Sequence, residues 1–328
     1  MIMFFFRILF GFHPAAVRVA GWLDQAEERK NVMEEPKKQK GMKELEAEFD
    51  KFVRKYGLDY LQVLNDLLDY IIYYCDPEPK PHPHWRYNRE QNEGFHGLMC
   101  LYFEILPRLT NTNMGWYDCW GDLFMSFRGK FGASVMGQFF TPVHISQLLS
   151  DLTTTDEMLD KEATFPTTFG NRVIVNDPTC GSSRMLLAAQ ATYIRLEKRA
   201  PYLIGEDLDP LCCKMSAVNM MAHGCFGEVV HHDTLLEPGH VRTGYIINEG
   251  LYPFVPGIPT IRVTNDERCF VCCRVWESIR QEHERQSQEA PVLEVKNPAR
   301  VEVTKEPEPP VVVLQKRPEP VQLEMFPI

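Results

Sequence analysis

The chain has 328 residues, 44% of them hydrophobic, which is enough apolar material for a real core and excludes a wholly disordered protein. A net charge of -10 argues against a protein that coats nucleic acid through bulk charge, while leaving room for a local basic groove. Ten cysteines without even spacing point to reduced thiols in a cytoplasmic protein rather than a secreted disulfide scaffold.

The apolar start, MIMFFFRILFGFH, is broken by Arg7, is too short to span a bilayer, and lacks the basic lead and cleavage site of a signal peptide; no later stretch qualifies as a membrane span. Mixed charges and a proline through Lys43 read as a linker, so residues 1–41 form an apolar segment plus linker. From Lys43 to Tyr74 apolar residues recur at helical intervals and predict two amphipathic helices broken near Gly57. Cys75 to Trp85 is proline-rich and predicts an exposed connection, in which His82, His84 and Cys75 lack the spacing of a metal site. Further helices are expected over 94–109 and 116–131, making residues 42–135 a mostly helical domain. Arg108, Arg128 and Lys130 are candidates for phosphate contacts, against the simpler reading of a solvated helix face.

Thr141 is a plausible helix N-cap, with Pro142 in the first turn of a helix containing Ile145, Leu148 and Leu149. Val173 to Leu187, VIVNDPTCGSSRMLL, reads as strand, small-residue loop and helix, the arrangement that brings backbone close to a nucleotide-type ligand. A second strand ends in Glu206-Asp207, at the spacing where β-α-β nucleotide folds place a carboxylate on ribose hydroxyls. A helix over 211–221 packs through Met215, Val218 and Met221, Gly224 ends it, and a third strand closes on Asp233. Neighbouring His231 and His232 point to opposite faces of that strand and read as structural.

GQFFTP, DPTCGSSRMLL, GEDLDP, KMSAVNMMAHG and HHDTL, in this order over 137–235, resemble the motifs of N6-adenine DNA methyltransferases, above all the modification subunit of type I restriction systems. The resemblance implies an α/β, Rossmann-like fold that binds S-adenosylmethionine over residues 136–282, preceded by the helical domain. It implies DNA as substrate and a separate specificity subunit as partner. Phe140, Thr141 and Pro142 would cover the methionine part of the cofactor, with Asp177, Cys180, Gly181 and Ser182 lining the loop. Asp207 would take the ribose hydroxyls, with Glu206 or Asp209 as substitutes, and Asp233 the adenine amino group. Ser183 stands where the family commonly has glycine, which removes the freest backbone position of the loop.

Methyl transfer to adenine N6 needs a flipped base, acceptors for the amino hydrogens and an aromatic stacking partner, which the family supplies as Asn or Asp, Pro-Pro and an aromatic residue. This tetrapeptide is missing. Leu251-Tyr252-Pro253-Phe254 keeps Pro253 and Phe254 but puts leucine, which accepts no hydrogen bond, at the polar place; Asn248 is a weak substitute. Asn297-Pro298-Ala299 lies in a proline-rich tail and looks accidental. Few strands remain after Asp233, so a truncated or rebuilt second half is expected. Cys269, Cys272 and Cys273 resemble half a zinc site without its second pair, and a terminal helix is expected over 276–288. Residues 283–328 read as a disordered Pro/Glu-rich tail, whose Gln322, Leu323, Met325 and Phe326 look like a sliding-clamp docking peptide. Three functions follow as alternatives: an N6-adenine DNA methyltransferase of restriction-modification type, a catalytically inactive relative that binds cofactor, DNA or a partner, and a methyltransferase with another substrate.

Overall fold

The computed structural model describes residues 40–78, 87–112, 115–128, 140–154, 166–167, 170–235, 241–249 and 259–289. Among the described residues four helices come first: α1 (Lys40–Tyr56), α2 (Tyr60–Cys75), α3 (Arg89–Thr112) and α4 (Cys119–Phe127). Gly57, at φ 62°, closes α1 with the paired bonds Leu58 N–H to Val53 carbonyl and Gly57 N–H to Arg54 carbonyl, and the Asp59 side chain then caps α2 at the Gln62 N–H. The break expected near Gly57 is therefore a glycine stop followed by a new cap.

Helix α5 (Val143–Thr153) starts one residue later than expected. Pro142, at ψ 140°, is the N-cap, and its carbonyl accepts from the Ile145 and Ser146 N–H groups, so Thr141 is not the cap. The helix also shows the core its polar side. Gln147 and Ser150 are buried on Thr192, while Leu148, Leu149 and Leu152 face outward, because hydrogen bonds from Gln147 to Thr192 and Asp151 satisfy the buried amide.

The sheet has five strands, β1 (Ile174–Asp177), β2 (Tyr202–Asp207), β3 (Phe226–His231), β4 (Thr243–Ile247) and β5 (Ile261–Thr264), in the spatial order of the sequence. β1, β2 and β3 are parallel and are joined through α6 (Arg184–Arg195) and α7 (Pro210–Ala222); β4 and β5 return antiparallel. Leu203 and Val229 look toward α6 and α7 in a core shared with the N-terminal helices, where Met215, Val218 and Met221 are fully buried. Tyr202, Ile204 and Val230 face the other way, onto the start of α8 (Val271–Glu289). There the buried Glu228 carboxylate accepts from the Val271 and Cys272 N–H groups and from Tyr202 Oη, fixing the helix N-terminus on the sheet. Burial pushes the Glu228 carboxyl above its ordinary range against the pull of those donors. Chain contacts separate residues 284–328 as a second unit, of which 284–289 are the end of α8.

This is a Rossmann-like arrangement with its second half rebuilt. A doubly wound sheet continues beyond its first strand on the far side, and the ligand crevice opens at that reversal. Among the described residues nothing pairs with the outer edge of β1, and the strands after β3 extend the opposite edge. No helix among the described residues is long and apolar enough to cross a membrane.

Candidate cofactor site

The parallel strands carry their acidic residues at the carboxyl ends because each strand's apolar alternation stops there. Asp177 ends β1 opposite Gly205, and Asp207 ends β2 opposite His231, two residues further out. Asp233 lies two residues beyond His231. The three carboxylates thus form a row that steps outward across adjacent strands, which are about 4.8 Å apart.

Each is oriented by local main chain. Asp177 Oδ1 accepts from Thr179 N–H at 3.1 Å, and Asp233 Oδ1 from Leu235 N–H at 3.0 Å. Asp207 spends one oxygen on Gly181 N–H and the other on Asp209 N–H, both at 2.9 Å. Asp209 in turn caps α7 at Leu211 N–H, so it serves the helix and not the row. Glu206 points into the interior, between Asn176 Nδ2 at 2.8 Å and His232 Nε2 at 2.5 Å. Burial, together with the negative charges of Asp207 and Glu206, raises the Asp177 carboxyl above its ordinary range, outweighing the Thr179 N–H. His231 is outside this cluster, and its ring meets the Leu208 carbonyl at 3.1 Å.

The loop 178–183 turns tightly through two left-handed residues, Gly181 at φ 54° and Ser183 at φ 72°. Ser183 therefore takes a backbone shape that glycine adopts freely, at a cost of about 1 kcal/mol. This turn sends two expected cofactor residues inward. Cys180 is buried with its Sγ on Ser216 Oγ, burial pushing its thiol up, and Ser182 is buried with its hydroxyl on Asp118 Oδ2 at 2.5 Å. Neither side chain lines the acidic row, because alternation does not govern side-chain direction in an irregular loop. Phe140 stands over Gly181, where an added Cβ would lie 2.8 Å from its ring.

Sequence reasoning missed a buried charge cluster behind the loop. Arg184, the first residue of α6, donates Nε to Asp118 at 2.5 Å, Nη2 to Asp122 at 2.6 Å and Nη1 to the Thr141 carbonyl at 3.2 Å. Asn219 donates to the other Asp118 oxygen at 2.7 Å and to the Ser182 carbonyl at 2.9 Å. Burial works against the Arg184 charge, but Asp118 and Asp122 outweigh it and leave the guanidinium more strongly protonated than usual. A signal existed: a cation in the first turn of a helix opposes the helix dipole and calls for acidic partners. Their location, 62 and 66 residues back, was not readable.

Asn248 is at the wrong end of the sheet. β4 runs against β3 with Ile247 opposite Gly227, so Asn248 sits at the amino end of β3, while the acidic row starts at the level of Val229 and steps outward past His231, roughly 10 to 20 Å further along the strands. Its side chain is spent there: Nδ2 donates to the Cys225 and Met221 carbonyls at 2.7 and 3.3 Å, and Oδ1 accepts from Thr260 N–H at 3.0 Å. It anchors the hairpin. Pro253 and Phe254, His82 and His84, Lys130, Asn297 to Ala299, and the tail residues Gln322, Leu323, Met325 and Phe326 lie outside the described residues. Arg108 pairs with Glu104 and Glu44 on the helical surface. Cys272 and Cys273 approach at 3.9 Å, yet no group of three or more potential ligands for a metal converges among the described residues.

Residues 117–249 match the N-6 DNA methylase family. The methylase match begins at Tyr117, one residue before Asp118, and ends just past Asn248, so it takes in the acidic row and the charge cluster behind it. Among solved structures the chain is similar to a Listeria monocytogenes protein described as a class I S-adenosylmethionine-dependent methyltransferase, at 16% identity and a TM-score of 0.38, covering 60% of this chain and 54% of that one. No curated protein gives a significant match.

Proposed function

We propose that the protein binds S-adenosylmethionine at the carboxyl edge of β1–β3, as the cofactor-binding subunit of an N6-adenine DNA methylation system of restriction-modification type. The row Asp177, Asp207, Asp233 carries this reading. The cofactor offers an amino group, two ribose hydroxyls, an adenine amino group and a positive sulfonium, all of which favour carboxylate acceptors, so the donor set fits. Asp177 would hold the amino end, Asp207 the ribose and Asp233 the adenine, with Phe140–Pro142 over the methionine end. The bound cofactor supplies an electrophilic methyl group on sulfur. Asp177 gains most from its arrival, since a cation there relieves the crowding of negative charge around its buried carboxylate.

On its own this chain leaves the methyl group in place. The reading is favoured by the reversal of β4, which carries the only polar acceptor candidate among the described residues to the far end of the sheet. Transfer to DNA would then depend on a partner such as a specificity subunit. The test is calorimetric titration with S-adenosylmethionine, followed by tritiated methyl transfer to adenine-containing DNA. Wild-type binding is expected. Asp207→Ala should weaken it about a hundredfold, the loss of two hydrogen bonds to a charged group, and no transfer by the isolated chain is expected. Absence of wild-type binding would end the cofactor reading, and transfer by the isolated chain would end the dependent one.

A further inference from the structure

The acidic row has one wall that is not part of the sheet. Phe140 and Thr141 precede α5 and reach the loop from outside, and only specific contacts fix how close they stand to Gly181. Phe124 packs on the Phe140 ring at 5.4 Å between centroids, and the polar contacts of the wall converge on Arg184. Its Nη1 holds the Thr141 carbonyl at 3.2 Å and its guanidinium lies 5.7 Å from the centre of the Phe140 ring, while Nε and Nη2 are clamped by Asp118 and Asp122 of the helical region. Asp118 is itself saturated. Gly121 N–H and Asn219 Nδ2 occupy one oxygen at 2.7 Å each, and Ser182 Oγ shares the other with Arg184 at 2.5 Å. A carboxylate with four donors has no freedom to turn, and a planar guanidinium held in two directions transmits that rigidity to its third.

We infer that Arg184 is a positioning residue for the methionine end of the cofactor, holding the Phe140–Thr141 wall at a set distance from Gly181 while leaving the adenosine end untouched. This rests on the cofactor reading above. The two ends meet at one bond, Gly181 N–H to Asp207 Oδ2 at 2.9 Å. Asp207 keeps its place when the wall shifts because β2 fixes its main chain and Asp209 N–H holds its other oxygen, while Asp233 lies just past β3, two strands from the loop. Lysine at 184 keeps the positive charge between Asp118 and Asp122 but has no planar fork to reach the Thr141 carbonyl at the same time.

The experiment titrates the full chain with S-adenosylmethionine and, separately, with adenosine. Arg184→Lys is expected to raise the dissociation constant for S-adenosylmethionine about tenfold, the worth of one charge-assisted hydrogen bond, and to leave that for adenosine unchanged. A general loosening of the fold would weaken both ligands together, so an equal shift in both overturns the inference, as does no shift in either. Should Arg184→Lys fail to fold by circular dichroism, Asp122→Asn, which loosens a single arm of Arg184 at a partly exposed site, carries the same expectation at about threefold and the same refutation. A wild type that binds neither ligand refutes the cofactor reading itself, whereas wild-type binding with an unchanged ratio in the variant refutes only the role of Arg184.

Discussion

The two ends of the parallel strands carry polar residues of opposite character. At the carboxyl end, Asp177 and Asp233 each place one oxygen on a neighbouring N–H, and the other oxygen has no partner among the described residues. At the amino end, Asn248 has used both donor hydrogens and its acceptor on three main-chain groups. An open carboxylate oxygen and a fully used amide differ in what they can still bind, and residue type alone does not reveal it.

The sharpest way to break this contrast is Asn248→Ala. It strands two carbonyls and one N–H and forces alanine to φ 58°, so the protein should lose about 3 kcal/mol in urea unfolding while its affinity for S-adenosylmethionine stays the same. A loss of affinity in a folded Asn248→Ala protein would return that residue to the site.

Asp177→Asn should act in the reverse sense. The Asp177 carboxyl is raised in the folded state, so its ionised form costs stability above the ordinary carboxylate range, and the cost disappears as pH falls below it. The variant should therefore be more stable than wild type near pH 7, with the difference closing in acid. It should also bind the cofactor about tenfold more weakly, and in the wild type affinity should fall as acid protonates Asp177. Unfolding curves and titrations across pH check both signs.

The smallest effect is expected at Ser183→Gly. Glycine relieves the left-handed backbone but gives up the hydroxyl contact with Ser216, so the two offset and stability should move by less than about 1 kcal/mol. A larger loss by denaturant unfolding would show that the hydroxyl pair, and not the backbone, holds the loop.

The parts legible in the sequence were those written locally. The strand, loop and helix around Gly181, the acidic end of β2 at Asp207 and the burial of Met215, Val218 and Met221 follow from alternation and helical spacing over a dozen residues. Asn248 was ambiguous because a strand's own residues do not say which way its neighbour runs, and the antiparallel pairing of β4 with β3 is decided between segments. The inward turn of Cys180 and Ser182 depends on two left-handed residues in succession around Ser182, only one of them glycine. Which face of α5 is buried was not written locally either, since Gln147 and Ser150 take that place through partners on α6.

The Asp118 cluster also has a consequence for the order in which the chain assembles. Its bonds to Ser182, Arg184 and Asn219 close loops of 64, 66 and 101 residues. During synthesis Asp118 emerges long before any of them with only the Gly121 N–H close in sequence, and its carboxylate stays hydrated until Ser182 and Arg184 have been made, since burying it earlier would leave a charge with a single donor. The helical region can collapse first on its apolar residues, but the loop 178–183 reaches its final shape only when Asn219, the last of these distant donors, arrives. A ribosome paused before Asn219 would thus hold a chain with its first helices packed and its loop 178–183 unset.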